Sequence, residues 1–567
     1  MAAFSQRALT RAAIGGLVFT FLIIFFPSSS SSTRSASFSK SMSTLGQEPP
    51  NTKGYGRWSL GESESEYGSA SDHDDGDDQG EQGGRWWGGG VKNWIGGWGP
   101  GTTGGSVGGR VGVSGIEPAG GDDGWVDFET DLPSTTYDGG LPGYQVFSNL
   151  YLTGSSLLFI QPPENLDMIN EDEIEDPEAE GEEIPLDLKP FLHASPSAAD
   201  GRRRVPETKF VISSEKRGQI AGEDRWRIEG NEVGREELGA RGYKLGGVTY
   251  IFNDGPGPEG YLVYFRHFVL EAFLGATRVL ASTLPTSVSV PVPRRVWFPR
   301  CGANPSWRDE RGDNAWFLAH ALPSTSVEDA NGWADRNTAG MPILLEKVVI
   351  IDRWASHAAN GEVAKWGKMN AMIPTVPAAQ NFWEQFRTNM MRSLGVDGKS
   401  DTGSRGLPVV VYVDRQKEKP KMKQSDHDSL VQALMTLTTV AEVHVAKAAS
   451  MSKARQVELM GRAQIVVSLH GDELFTTLWM PATEGSTVIE IFEDGGYERD
   501  FQLLATTLNH QYIAIQNDRI LTEEKWRELG TKKGEERTKG EISVNSEFVV
   551  RVIEGILGSQ AEESEDI

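Results

Sequence analysis

The stretch Ile465-Val466-Val467-Ser468-Leu469-His470-Gly471 constrains the fold more than any other part of the chain. An apolar strand runs into a His-Gly turn, Asp472-Glu473-Leu474 opens a short helix, and Pro481 stops it. Thr487-Val488-Ile489-Glu490-Ile491-Phe492 is then a second apolar strand carrying one carboxylate. Continuous apolar runs of this length suit parallel strands covered by helices on both faces. In such sheets ligands bind where strand ends meet helix N-termini, because free backbone N–H groups and the helix dipole attract anions there.

Elements of the same kind precede this segment. Pro408 to Val413 reads as a buried strand that ends in Asp414-Arg415. A helix over about 426–437, a strand at 442–445 and a helix at 452–462 lead to the His-Gly turn. Strands and helices alternating in this way give the doubly wound signature of an α/β sheet. A first half is expected upstream. Val248-Phe252 reads as a strand, Asn253-Asp254-Gly255-Pro256-Gly257 as a turn, and Tyr261-Phe265 as another strand. Phe268, Val269, Phe273, Leu274, Val279 and Leu280 fall on one face of a helix from Arg266. Further strands are expected at 296–298 and 347–352, and a helix at 380–394.

The first 200 or so of the 567 residues have a different character. Arg7 and Arg11 precede an uncharged apolar run from Ala12 to Phe26, short for a span of about 20 residues. The bulky end Phe25-Phe26-Pro27 favours an uncleaved signal anchor over a cleaved signal peptide, and the flanking basic residues place the remainder in the lumen. Gly, Ser and Asp then dominate as far as about Gly140, with Trp86, Trp87, Trp94 and Trp98 among them. Glu164 to Asp187 holds twelve carboxylates and no Lys or Arg. Such composition reads as a solvated, disordered stem. Asp72-His73-Asp74-Asp75 looks like a metal signature but follows no apolar strand, so it is set aside. The formal net charge of −25 argues against a nucleic-acid partner. A single cysteine, Cys301, excludes an intrachain disulfide.

From Val410 to Phe492 the order strand-Arg, helix, strand, helix, His-Gly turn, proline and Glu-Ile strand resembles the glycosyltransferase 61 family. Arg266-His267-Phe268 with Glu271, and Ile351-Asp352-Arg353, look like its earlier elements. The resemblance implies an α/β, GT-B-like fold: two Rossmann-like doubly wound domains facing a cleft, preceded by a disordered stem. The expected division is a cytoplasmic tail (1–11), a transmembrane signal anchor (12–27) and a stem (28–204). An acceptor-side α/β domain (205–395), a nucleotide-sugar α/β domain (396–520) and C-terminal helices with an acidic tail (521–567) follow.

It further implies an inverting glycosyltransferase that uses no cofactor and no metal. A UDP-sugar would be the donor, and a glycan or glycoprotein the acceptor. Such an enzyme is expected in the Golgi membrane, single-pass type II with a lumenal catalytic domain, the alternative being a secreted form. The rival reading is a catalytically silent relative that binds glycans or serves as an assembly factor.

The reaction needs a base for the acceptor hydroxyl and donors for the departing diphosphate. His267 is the candidate base and Glu271, one helical turn away, would orient it; a plain surface His-Glu pair is the alternative. Asp352 and His357 stand in reserve. Arg415 at a strand end is expected to bind diphosphate, with Lys417 as helper. His470 would contact pyrophosphate or sugar, or else fix the turn as a core histidine. Gly471 would let backbone approach the ligand, and Glu490 would accept ribose hydroxyls. Asp472 departs from the family's small residue; with Glu473 it suits a helix N-terminus but would repel a diphosphate docked there. Phosphates nearer Arg415, a sugar hydroxyl on Asp472, or a drifted site are the readings that remain open.

Overall fold

The computed structural model describes residues 122–162, 205–214, 219–255, 261–303, 306–358, 370–396, 403, 406–525 and 541–565. The expected tail, anchor, tryptophan-rich stretch and acidic run lie outside these residues. Among the described residues no helix is long and apolar enough to cross a membrane.

The described strands form two sheets. The first contains β1 (Gly124–Asp127), β2 (Thr136–Leu141), β3 (Tyr144–Thr153), β4 (Ser156–Ile160), β5 (Trp226–Glu229), β6 (Arg241–Phe252), β7 (Arg295–Trp297), β8 (Ser326–Glu328) and β9 (Ile343–Ile351). Its order is β5-β4-β3-β9-β6-β7-β8, with β1 added to β6 and β2 to β3. Strands β9, β6, β7 and β8 are mutually parallel. In chain order they lie 3-2-1-4 across the sheet, so the winding reverses between β6 and β9.

The second sheet contains β10 (Val409–Val413), β11 (Glu442–Ala446), β12 (Ile465–Leu469), β13 (Thr487–Phe492), β14 (Gln511–Gln516) and β15 (Arg519–Leu521). Its order is β11-β10-β12-β13-β14-β15, parallel except for the antiparallel edge strand β15. The winding reverses between β10 and β12. Every residue of β10, β12 and β13 is buried, as strands covered on both faces require.

A single apolar core joins the sheets. Val248, Tyr250 and Phe252 of β6 share it with Val411 of β10, Val466 of β12 and Val488 of β13. The helices Leu274–Ser282, Glu384–Ser393 and Lys453–Met460 contribute to the same core. The far side of the second sheet packs on Gln424–Met435 and Ser546–Glu565. The boundary at 395/396 thus falls between two sheets that share a core. Cys301 is fully buried, and burial pushes its thiol up to about 12.

Two expectations are corrected. The stem assigned to 28–204 contains β1 to β4, and ordered chain starts well before Val205. β3 sits inside the sheet, antiparallel to β9 over Tyr144–Leu152. Its apolar residues, where weak order is expected near Tyr144–Tyr151, pair with β2 and β4 beside them in sequence and with β9 far from them. Tyr261-Phe265 is not a strand either. Tyr261 has a φ of 60°, and the chain turns into a wide π-helix, Arg266–Phe273, before the α-helix Leu274–Ser282. Leu262 and Phe265 are apolar because they pack into the core beneath this turn.

A chain shortened to begin at Val205 loses β3 and β4 from the sheet. It is expected to show no cooperative thermal transition by circular dichroism, whereas one beginning at Asp122 should retain it.

Candidate functional site

At the switch point of the second sheet, β10 runs out to Arg415 and β12 to His470-Gly471. The Arg415 guanidinium donates to the His470 carbonyl through Nη1 and pairs with Glu473 at 2.9 Å through Nε. A Cβ at position 471 would lie 1.2 Å from Arg415 Nη1, so any larger residue must push the guanidinium aside. Burial pushes the Glu473 carboxyl up while Arg415 pulls it down. Arg415 therefore clamps the His-Gly turn, with its charge already opposed.

Strand register places His470 over Glu490. Ser468 pairs with Glu490 across the ladder, and His470 lies on the same face as Ser468. Its Nδ1 contacts one Glu490 oxygen, and Tyr512 donates to the other at 2.5 Å. Its Nε2 lies 3.2 Å from Glu498, and its ring stacks on Phe492. The Tyr512 hydroxyl is pushed well up by burial and by the Glu490 charge, and so keeps its proton. Glu490 was expected at a strand end facing ribose. It lies instead inside β13, fully buried, with His470 and Tyr512 on its two oxygens. Its place is behind the imidazole, because the turn folds His470 back across β13. His470 is thus held from behind by Glu490 and Phe492, and it also lines a cleft. That cleft is shallow and is walled by Pro420, His470, Phe492, Tyr497 and Glu498.

At the switch point of the first sheet, β6 ends at Asn253-Asp254 and β9 at Asp352-Arg353. Asp352 caps the helix Arg353–Ala358 through the Ala355 N–H and accepts from Ser213 and Asn253, so it is structural. The π-helix presents His267 and Glu271, with Nδ1 2.7 Å from Glu271 Oε2. Glu271 also accepts from Arg353 Nε at 3.1 Å and from the Asn370 N–H at 3.0 Å. A carboxylate partner requires the proton on Nδ1, which leaves the lone pair on Nε2. Burial first, and the Arg353 charge second, push His267 down to about 4, so it is neutral near pH 7. The pair is nearly buried, with 11% and 1% of the two side chains exposed, which excludes the plain surface pair. π-helical turns are rare and concentrate at functional sites.

The two carboxyl ends meet through Arg266. It pairs with Asp472 at 2.6 Å and with Asp500 at 3.0 Å, while lying over the Phe475 ring. None of the three readings of Asp472 anticipated this. Its charge is met by an arginine from the other half of the fold, so it is not an unopposed anion in a phosphate site.

A second sheet wound 2-1-3-4-5 with a His-Gly turn at its switch point, beside a parallel sheet bearing a His-Glu pair, has the form of a Rossmann-like glycosyltransferase. The sequence model of the glycosyltransferase 61 family matches residues 265–489. Among curated proteins none matches the chain.

Sequence reasoning overlooked Glu498 and Tyr512 and passed over Arg266 and Arg353 as site residues. Glu498 left a legible signal, since Glu493-Asp494-Gly495-Gly496-Tyr497-Glu498 is a glycine-containing acidic loop at a strand's carboxyl end. Tyr512 and Arg266 left none, because their partners come from other elements.

Gly471→Ala should displace Arg415 and destabilise the protein by about 1–3 kcal/mol, read as a lower chemical-denaturation midpoint. A pH effect follows from two histidines. Burial also pushes His510 down to about 4. An unfolded histidine binds its proton near 6.5, so between about 6.5 and 4 the unfolded chain holds more protons. The stability due to each neutral histidine is complete above pH 6.5 and is lost toward 4, on the order of 2–3 kcal/mol apiece. Asp254, pushed well up by burial and by Asp352, acts with the opposite sign. The check is therefore the difference in stability between wild type and His510→Gln, which should shrink as pH falls from 7 to 4.5.

Proposed function

We propose that the protein is an inverting, metal-independent glycosyltransferase that moves a sugar from a UDP-sugar to a hydroxyl of a glycan or glycoprotein. The observation that carries this reading is the joining, through Arg266 and Asp472, of a neutral histidine base to the ligand-binding turn of a second wound sheet. The two sheets then serve as the halves of a GT-B enzyme, with donor and acceptor meeting at their carboxyl ends. The acceptor oxygen attacks the anomeric carbon as its proton passes to His267 Nε2. The bond from that carbon to the diphosphate oxygen breaks, and the electron pair leaves with UDP. Attack opposite the leaving group inverts the configuration. Glu271 steadies the imidazolium as it forms.

For the donor, we place the nucleotide beside His470, at the shallow cleft walled by Phe492, Tyr497 and Glu498. Glu498 takes the place expected of Glu490 as acceptor for ribose hydroxyls. Golgi residence with type II topology rests on Arg7, Arg11 and the apolar run that follows. The rival reading, a silent relative that binds glycans, draws on one observation: Arg415 is already paired with Glu473 and so offers a diphosphate a weakened charge.

Thermal midpoints of the full chain with UDP, GDP and CMP, in the presence of a chelator, separate the two. UDP at a hundredfold excess over its Kd should stabilise the fold by about 2.7 kcal/mol, and Glu498→Gln should remove most of that gain. His267→Gln should keep the UDP shift and lose donor turnover in the presence of acceptor by about 100-fold or more. No shift with any nucleotide favours the silent relative.

A further inference from the structure

Beside His267 lies a group of aromatic side chains that the proton transfer itself does not use. The Tyr261 ring meets the imidazole edge-on at 5.2 Å, and the Tyr264 ring stands at 6.2 Å. Trp354 packs edge-on against Tyr261 at 5.6 Å. The Arg353 guanidinium covers one face of Tyr261 at 3.7 Å from its centroid, and that guanidinium is held by Glu271. The carboxylate that orients the base thus also sets the rings.

Two features set this group apart from ordinary packing. Tyr261 adopts a φ of 60°, a left-handed conformation that costs a non-glycine residue about 1–2 kcal/mol. Strain of this size persists where surrounding contacts enforce it, and it gathers at ligand sites. Tyr264 is 38% exposed, although it neighbours a nearly buried base. A large ring left partly in water beside a reactive nitrogen is a surface waiting for a ligand that shares the base.

We propose that Tyr261, Tyr264 and Trp354 form the aromatic wall of an acceptor subsite that receives a pyranose ring and presents one of its hydroxyls to His267. The inference rests on His267 being the base of a glycosyl transfer. A pyranose carries C–H groups on one face and hydroxyls around its rim. Its slightly positive C–H bonds meet the negative face of an aromatic ring, while the rim hydroxyls stay free for polar contacts. Arg353 occupies one side of Tyr261, so the exposed Tyr264 is the principal stacking surface, and Tyr261 with Trp354 limits how the sugar can tilt. A flexible peptide hydroxyl has no such flat apolar face and would gain little here.

Saturation-transfer NMR on the full chain, with UDP present, tests this using methyl β-D-xylopyranoside, methyl β-D-galactopyranoside and methyl α-D-mannopyranoside as probes. At least one should show transfer confined to the C–H groups of one ring face. Tyr264→Ala should weaken binding of that probe by about fivefold, equivalent to ~1 kcal/mol, and Tyr264→Phe should retain it. Both variants should keep the wild-type thermal midpoint, since the ring is partly exposed. Absence of transfer from all three probes overturns the subsite, as does transfer that Tyr264→Ala leaves unchanged. Should UDP fail to shift the midpoint while a pyranoside binds in a Tyr264-dependent way, the subsite stands and the donor assignment falls.

Discussion

Arg266 holds this structure's site together. It leaves the first sheet at the start of the π-helix and meets Asp472 and Asp500 of the second half, with 11% of its side chain exposed. A buried arginine left without its carboxylates would be costly, whereas one satisfied by two of them is tolerated. This pairing sets the distance between His267, its neighbour in sequence, and the turn at Gly471, the neighbour of Asp472. Each half supplies only part of a site. The ion pair makes the parts adjacent.

Charge is handled the same way elsewhere in the site. Arg415 is met by Glu473, Arg353 by Glu271, and His470 by Glu490 and Glu498. Each arginine positions a turn or an imidazole rather than standing in open solvent. A preorganised polar site of this kind needs little rearrangement as charge develops on a bound substrate. It also explains how a chain with so many acids near its ligand turn stays folded, since those acids are paired within the protein.

Some of this was readable from the chain alone. The strands β10, β12 and β13 are unbroken apolar runs, and the His-Gly turn lies where such a sheet must bind its ligand. The His267-Glu271 spacing places both on one helical face. These are local signals, carried by residues close in sequence. β3 was legible only as weak order near Tyr144–Tyr151, because its central place in the sheet depends on β9, and Tyr261-Phe265 misled because a buried turn and a strand share the same apolar composition.

The sequence by itself determined the doubly wound second half and the likeness to glycosyltransferase 61, and it singled out His267, Glu271, Arg415, His470 and Gly471 as candidates. Only the tertiary structure decided what each of them touches. Glu490 passed from ligand contact to support for His470, because strand register put the imidazole over it. Asp472 became a partner of Arg266, because the first sheet brought a cation to it. Periodicity and spacing report which face of its own element a residue occupies. Which element lies opposite depends on packing between segments far apart in the chain, and that sets the role of a charge.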